Sequence, residues 1–73
     1  MEKTLAIEAI LSEYSFATSK FGEFASPHEG YAVIKEELDE LWDEIKGKSI
    51  DDSMKKEAIQ VGAMALRFLV DCC

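Results

Sequence analysis

The chain has 73 residues, 15 acidic against 8 basic for a formal charge of −7, and 48% of them are hydrophobic. That is one small domain at most, too short for a two-domain enzyme, a barrel or a doubly wound sheet, and its apolar fraction is that of a globular chain. Its negative charge excludes nucleic-acid binding through phosphate neutralisation and docking on an anionic membrane surface.

A first helix is expected from about Thr4 to Lys20, because Ile7, Ile10, Leu11, Tyr14, Ala17 and Phe21 recur at spacings of three and four. Glu2, Lys3, Glu8, Ser12, Glu13 and Lys20 fall mostly elsewhere on the wheel. Phe21-Gly22-Glu23-Phe24 ends the helix, with Gly22 supplying the left-handed turn and both Phe rings packing back on the core.

The second helix has the clearest start. Ser26-Pro27-His28-Glu29 reads as a capping box with Pro at the first helical position. Tyr31, Ile34, Leu38, Leu41 and Ile45 make its apolar stripe, with Trp42 beside it, and Lys46-Gly47-Lys48 closes it. Asp51-Asp52-Ser53 opens a third helix with acids at its positive end. Met54, Ala58, Val61, Ala65, Phe68 and Leu69 form one apolar stripe there, and Ile59, Gly62, Ala63, Leu66 and Val70 spread apolar character over most of the circumference. Gly62, Ala63 and Ala65 are small enough to admit a neighbouring helix closely. Glu57, Gln60, Met64, Arg67 and Asp71 occupy a narrower polar face. No window alternates long enough for a strand. The expected fold is all-α, an antiparallel three-helix unit in which residues 1–73 are a single domain.

A chain this short buries only about 60% of its unfolded surface and has a thin core. Cys72 and Cys73 are adjacent, so they neither close an unstrained disulfide nor match the spacing of a zinc site. Self-association into a homodimer or homotetramer is the expected source of further burial. No apolar run approaches the roughly 18 residues that span a bilayer. Met1-Glu2-Lys3-Thr4 leads into a stretch broken by Glu8, unlike a signal peptide. The expected location is the cytoplasm.

From Lys35 to Glu44 the residues read KEELDELWDE. Glu36, Glu37, Asp39, Glu40, Asp43 and Glu44 crowd the side of the second helix away from its apolar stripe. Like charges three and four residues apart repel by about 0.2–0.5 kcal/mol per pair, and only Lys35 and Lys46 flank them. A hard divalent cation offsets such repulsion, and Mg²⁺ takes oxygen ligands while keeping several waters. Glu57, with Gln60 three residues on, offers facing oxygen donors from the third helix, as helical bundles do when they build a metal site. In a generic chain, an acidic run of this kind is a solvated face that keeps the protein soluble.

The spacing of these acids carries a resemblance. Glu36-Glu37-Leu38-Asp39-Glu40 matches E-E-x-x-E, and Glu57 follows seventeen residues after Glu40. The pair resembles the signature of the all-α nucleoside triphosphate pyrophosphohydrolase superfamily, the MazG-like and dimeric dUTPase-like proteins, where E-E-x-x-E precedes E-x-x-D at a similar spacing. The segments from His28 to Ile34 and from Lys56 to Phe68 look like a small phage- and bacteria-type branch of it. The resemblance covers Phe21 to Asp71.

What it implies is a MazG-like unit completed into a helical bundle by oligomerisation. It implies a Mg²⁺ cofactor, with Mn²⁺ as a substitute, held by Glu37, Glu40, Glu57 and Gln60. The nucleoside triphosphate would bind through the metal and be cleaved between its α- and β-phosphates, giving a monophosphate and pyrophosphate. Glu36 or Glu37 would accept the proton of the attacking water. The family's fourth acid, an Asp, is Gln60 here. An amide oxygen can coordinate Mg²⁺ but brings no charge and cannot act as a base, which weakens the expected activity. The alternative is a catalytically inactive helical oligomerisation or interaction module of the same fold. Lys46, Lys48 and Arg67 are the cations available for phosphate, and each reads first as solvated surface. His28 reads as structural, and Tyr31 and Trp42 as core.

Overall fold

The first two helices each begin and end on a local signal that satisfies some of their free backbone groups. In the computed structural model, which describes residues 1–47 and 52–73, α1 spans Lys3–Phe21, α2 Pro27–Lys46 and α3 Asp52–Cys72, with no strand among the described residues. The Glu2 carboxylate caps α1 by accepting from the Thr4 and Leu5 amides at 3.1 and 3.3 Å. Gly22 ends α1 at φ 73°, ψ −158°, a region essentially confined to glycine. At the start of α2, extended Ser26 accepts from the Glu29 amide at 3.1 Å and Pro27 takes the first helical position. Glu29 reaches back to accept from the Ala25 amide at 2.8 Å, one residue beyond the Ser26 amide of a capping box. Gly47 closes α2 in a right-handed conformation, so this stop needs no left-handed residue. Lys48 and Asp51, expected to flank the turn into the third helix, lie outside the described residues. No described helix is long and apolar enough to cross a membrane.

α3 is the centre of the unit. Among the described residues α1 and α2 each pack on α3 and not on one another. α2 runs antiparallel to α3, with Gly30 against Phe68 and Glu37 near Gln60. α1 runs along α3, with Ile10 against Gly62 and Gly22 held by Arg67. The core is Ala17, Phe24, Ala63 and Met64, surrounded by partly buried Ile10, Tyr14, Val33, Ile34, Phe68 and Cys72. Two polar residues of α3 pin the α1–α2 loop over this core. Asp71 accepts from the Phe24 amide at 2.9 Å, and Arg67 donates through Nη2 to the Gly22 carbonyl at 2.9 Å.

The close approach of α2 to α3 depends on Gly30. A Cβ there would sit 2.7 Å from Phe68 Cδ2 and 3.2 Å from Phe24 Cδ2, both atoms of rigid packed rings. Gly30→Ala gains about 1 kcal/mol of helix propensity but overpacks by about 1–3 kcal/mol. The expected net result is a protein less stable by about 1 kcal/mol, read by urea denaturation.

Several faces turn differently from the sequence stripes. Ile7, Leu11 and Phe21 of α1 are exposed, and Phe24 alone of the two loop-flanking Phe rings packs on the core. Tyr31, Leu38, Trp42 and Ile45 of α2 are exposed as well, so Tyr31 and Trp42 are not core residues. The face of α2 turned inward is Gly30, Val33, Ile34, Glu37, Leu41 and Glu44, which carries Glu37 into the helix contact. On α3 the polar line Glu57, Gln60, Met64, Arg67 and Asp71 points inward, while Ala58, Ala65, Leu69 and Val70 face out. Gly62 and Ala63 do serve close packing, but Ala65 does not. The physical reason is that two neighbours can cover only part of a helix that is apolar nearly all round. Periodicity alone does not choose which part.

Candidate functional site

The polar line of α3 forms the floor between the other two helices, and the acids of α2 meet it. Glu37 and Glu40 stand one turn apart on α2, and Glu57 faces them from α3. One carboxylate oxygen from each lies within 4.8 Å of the others. Oriented with its nitrogen toward them, the Gln60 amide donates to Glu37 Oε2 at 2.7 Å and to Glu57 Oε2 at 3.0 Å. The opposite orientation brings the amide oxygen to the same place, where a cation shared with the carboxylates would accept it. The residues expected as metal ligands, Glu37, Glu40, Glu57 and Gln60, are therefore neighbours.

The cluster is short of positive charge. Lys35 pairs with Asp39 at 3.0 Å and Lys46 with Asp43 at 3.5 Å, so the flanking lysines neutralise the outer acids. Burial pushes the Glu37 carboxyl up to about 7, aided by the negative charges of Glu40 and Glu57. Glu57 is raised too, first by burial and then by Glu40, with Lys56 pulling the other way. Glu37 and Glu57, both raised, stand with Glu40 as three converging oxygen donors, a fitting cradle for a hard divalent ion.

A cleft of about 610 Å³ runs along α3 and touches the cluster through Glu37 and Gln60, without Glu40 or Glu57 on its lining. Its α1 wall carries Phe16, Lys20 and Phe21, its α2 wall Val33, Glu36 and Glu37, and its floor Gln60, Met64 and Arg67. Glu36, expected as a proton acceptor, is exposed and opens onto this cleft beside Glu37. The expectation for Arg67 is overturned: it is 3% exposed, not solvated surface. Lys46 is exposed beside Trp42 and away from the cleft, and Lys48 lies outside the described residues. His28 is exposed on the first turn of α2.

Lys20, Phe16 and Phe21 are cleft residues that the sequence does not single out. A readable signal existed for Arg67. It continues the line of Glu57, Gln60 and Met64 along a helix apolar elsewhere, and a polar line on such a helix faces a site as readily as it faces solvent.

No family model, curated protein or solved structure matches the chain.

Proposed function

We propose that the protein is a Mg²⁺-dependent nucleoside triphosphate pyrophosphohydrolase of the MazG-like kind, releasing a nucleoside monophosphate and pyrophosphate. The observation that carries this reading is the convergence of Glu37, Glu40 and Glu57 within 4.8 Å across two helices, with Glu37 also lining a cleft that Phe16 and Phe21 wall. Glu37, Glu40 and Glu57, with the Gln60 amide oxygen, would hold the ion. Once bound, it supplies charge neutralisation at the phosphate oxygens. Glu36 lines the cleft outside the cluster and would accept the proton of an attacking water. Glu37 is the second candidate for that role, through a carboxylate oxygen that does not hold the ion. The test is pyrophosphate release from a panel of nucleoside triphosphates with Mg²⁺ or Mn²⁺, and with EDTA as control. Release in the presence of either metal and none in EDTA is expected. No release from any substrate would overturn the reading.

The working unit in this proposal is a homodimer or homotetramer in the cytoplasm. Leu38, Trp42 and Ile45 leave an exposed apolar strip along α2, and α3 adds Leu69 and Val70. A chain with so thin a core gains most by covering such a surface with a second copy. Leu38→Glu is expected to convert the oligomer to monomer in sedimentation velocity. An unchanged sedimentation coefficient would place the interface elsewhere.

One observation favours a second reading, an inactive oligomerisation or interaction module of the same fold. The Gln60 nitrogen satisfies two carboxylates of the cluster without an ion. That reading expects a stable oligomer whose melting temperature does not respond to nucleotide and Mg²⁺ together.

A further inference from the structure

The cleft floor contains a charge that the acid cluster does not use. Arg67 is 3% exposed, and a guanidinium stays charged at any physiological pH. The donors of a buried guanidinium are ordinarily met by oxygen acceptors, most often a carboxylate. Yet the ion pairs of the described residues join Lys35 to Asp39, Lys46 to Asp43 and Lys55 to Asp52, and none includes Arg67. Its Nη2 donates to the Gly22 carbonyl at 2.9 Å, while Nη1 meets only the Met64 sulfur, a weak acceptor, at 3.2 Å. Nε is sealed from solvent and has no acceptor. The Phe24 ring, 4.1 Å from the guanidinium carbon, holds the plane of the group. Nη1 thus lacks an oxygen partner at the floor of a cleft whose opposite wall carries Phe16 and Phe21, and Nε lacks one behind it.

Position along α3 narrows what the partner is. Seven residues separate Gln60 from Arg67, about 10 Å of helix. That distance lies past phosphates held at the carboxylates and within reach of the nucleoside they carry. Phe16 and Phe21 present rings that are 58% and 66% exposed on the α1 wall. Such rings stack on any base.

We propose that Arg67 is a specificity-determining residue that reads the base of the nucleotide and selects a 6-oxopurine, the guanine type. The inference rests on the nucleotide reading of the acid cluster. Guanine presents adjacent O6 and N7 acceptors, which arginine engages in a pair. Adenine puts an amino group in the place of O6, so a donor would face a donor. In taking the base, Arg67 exchanges the Met64 sulfur for O6 at Nη1, donates to N7 with the second N–H of Nη2, and keeps its other Nη2 bond to Gly22.

The experiment compares kcat/KM for GTP and ATP in the wild type, Arg67→Lys, Arg67→Met and Phe16→Ala. Melting curves with GMP or AMP in EDTA accompany it. The wild type is expected to prefer GTP by about tenfold or more. Both Arg67 variants bring that ratio close to one, mainly through KM, and Phe16→Ala weakens both purines alike. GMP, and not AMP, raises the wild-type melting temperature without metal. A role for Arg67 confined to pinning the loop lowers both nucleotides equally. An unchanged ratio in Arg67→Lys, or a wild type without preference, overturns the proposal. If neither nucleotide is hydrolysed, the pyrophosphohydrolase reading fails separately and GMP binding decides. Selective GMP binding lost in Arg67→Lys upholds base recognition, and no binding refutes it.

Discussion

Glu40→Gln and Glu57→Gln are each expected to lower Mg²⁺-dependent pyrophosphate release by about 10²–10³-fold, the usual consequence of removing one electrostatic partner of the reacting phosphates. Each variant keeps the shape of the side chain and removes one of the three charges that converge within 4.8 Å. The loss therefore shows as a higher Mg²⁺ midpoint together with a lower kcat. Glu36→Gln behaves differently. Glu36 opens onto the cleft but is not one of the three converging acids, so kcat falls while the Mg²⁺ midpoint stays put. Gln60→Glu adds a fourth carboxylate and shifts the midpoint to lower Mg²⁺. A magnesium titration of turnover in these four variants separates the roles. Equal midpoints in the wild type, Glu40→Gln and Glu57→Gln would remove these carboxylates from the metal site.

α1 and α2 were legible because each has local punctuation. Ser26-Pro27 and Gly22 act within a few residues, and nothing distant can override them cheaply. The acid cluster was legible for a similar reason. Glu37 and Glu40 are one turn apart on any helix, and the antiparallel run of α2 and α3 then sets Glu57 opposite. What the sequence hid was rotation. A stripe such as Tyr31, Leu38 and Ile45 is equally good for an internal core and for a surface met by another molecule, and here it stays exposed. Conversely, Arg67 on the polar line of α3 read as solvated surface and is buried, because it and Asp71 hold the α1–α2 loop. Long-range bonds of this kind, from Arg67 to Gly22 or Asp71 to Phe24, leave no trace in helical periodicity. The same error concealed the cleft, whose aromatic wall comes from Phe16 and Phe21 on a helix that shows little amphipathic contrast.

Without divalent ions, the protein is expected to lose stability as pH rises from about 4.5 to 7, and Mg²⁺ is expected to restore it. The cause is the crowding at Glu37. In the folded chain its carboxyl titrates near 7, against 4.5 for an unperturbed Glu. Between those values the folded state holds a proton that the unfolded state has released, so raising the pH favours unfolding. The contribution is fully present below the unfolded value and is lost as pH climbs through the folded one. Glu37 is only partly buried, so solvent screening reduces the effect to about 2 kcal/mol. Metal works in the opposite direction. Ligands must be deprotonated to bind it, so the Mg²⁺-induced rise in melting temperature is small at pH 5 and largest at pH 8. Glu37→Gln isolates the source, because it flattens the pH slope in EDTA, makes the apoprotein more stable than the wild type at pH 8, and diminishes the Mg²⁺ increment. Melting curves across pH 4–9 with EDTA or Mg²⁺ test this. The same slope in wild type and Glu37→Gln would mean that the carboxylates are too solvated to strain one another. A wild type indifferent to Mg²⁺ at pH 8 would mean that their strain is not relieved by a metal.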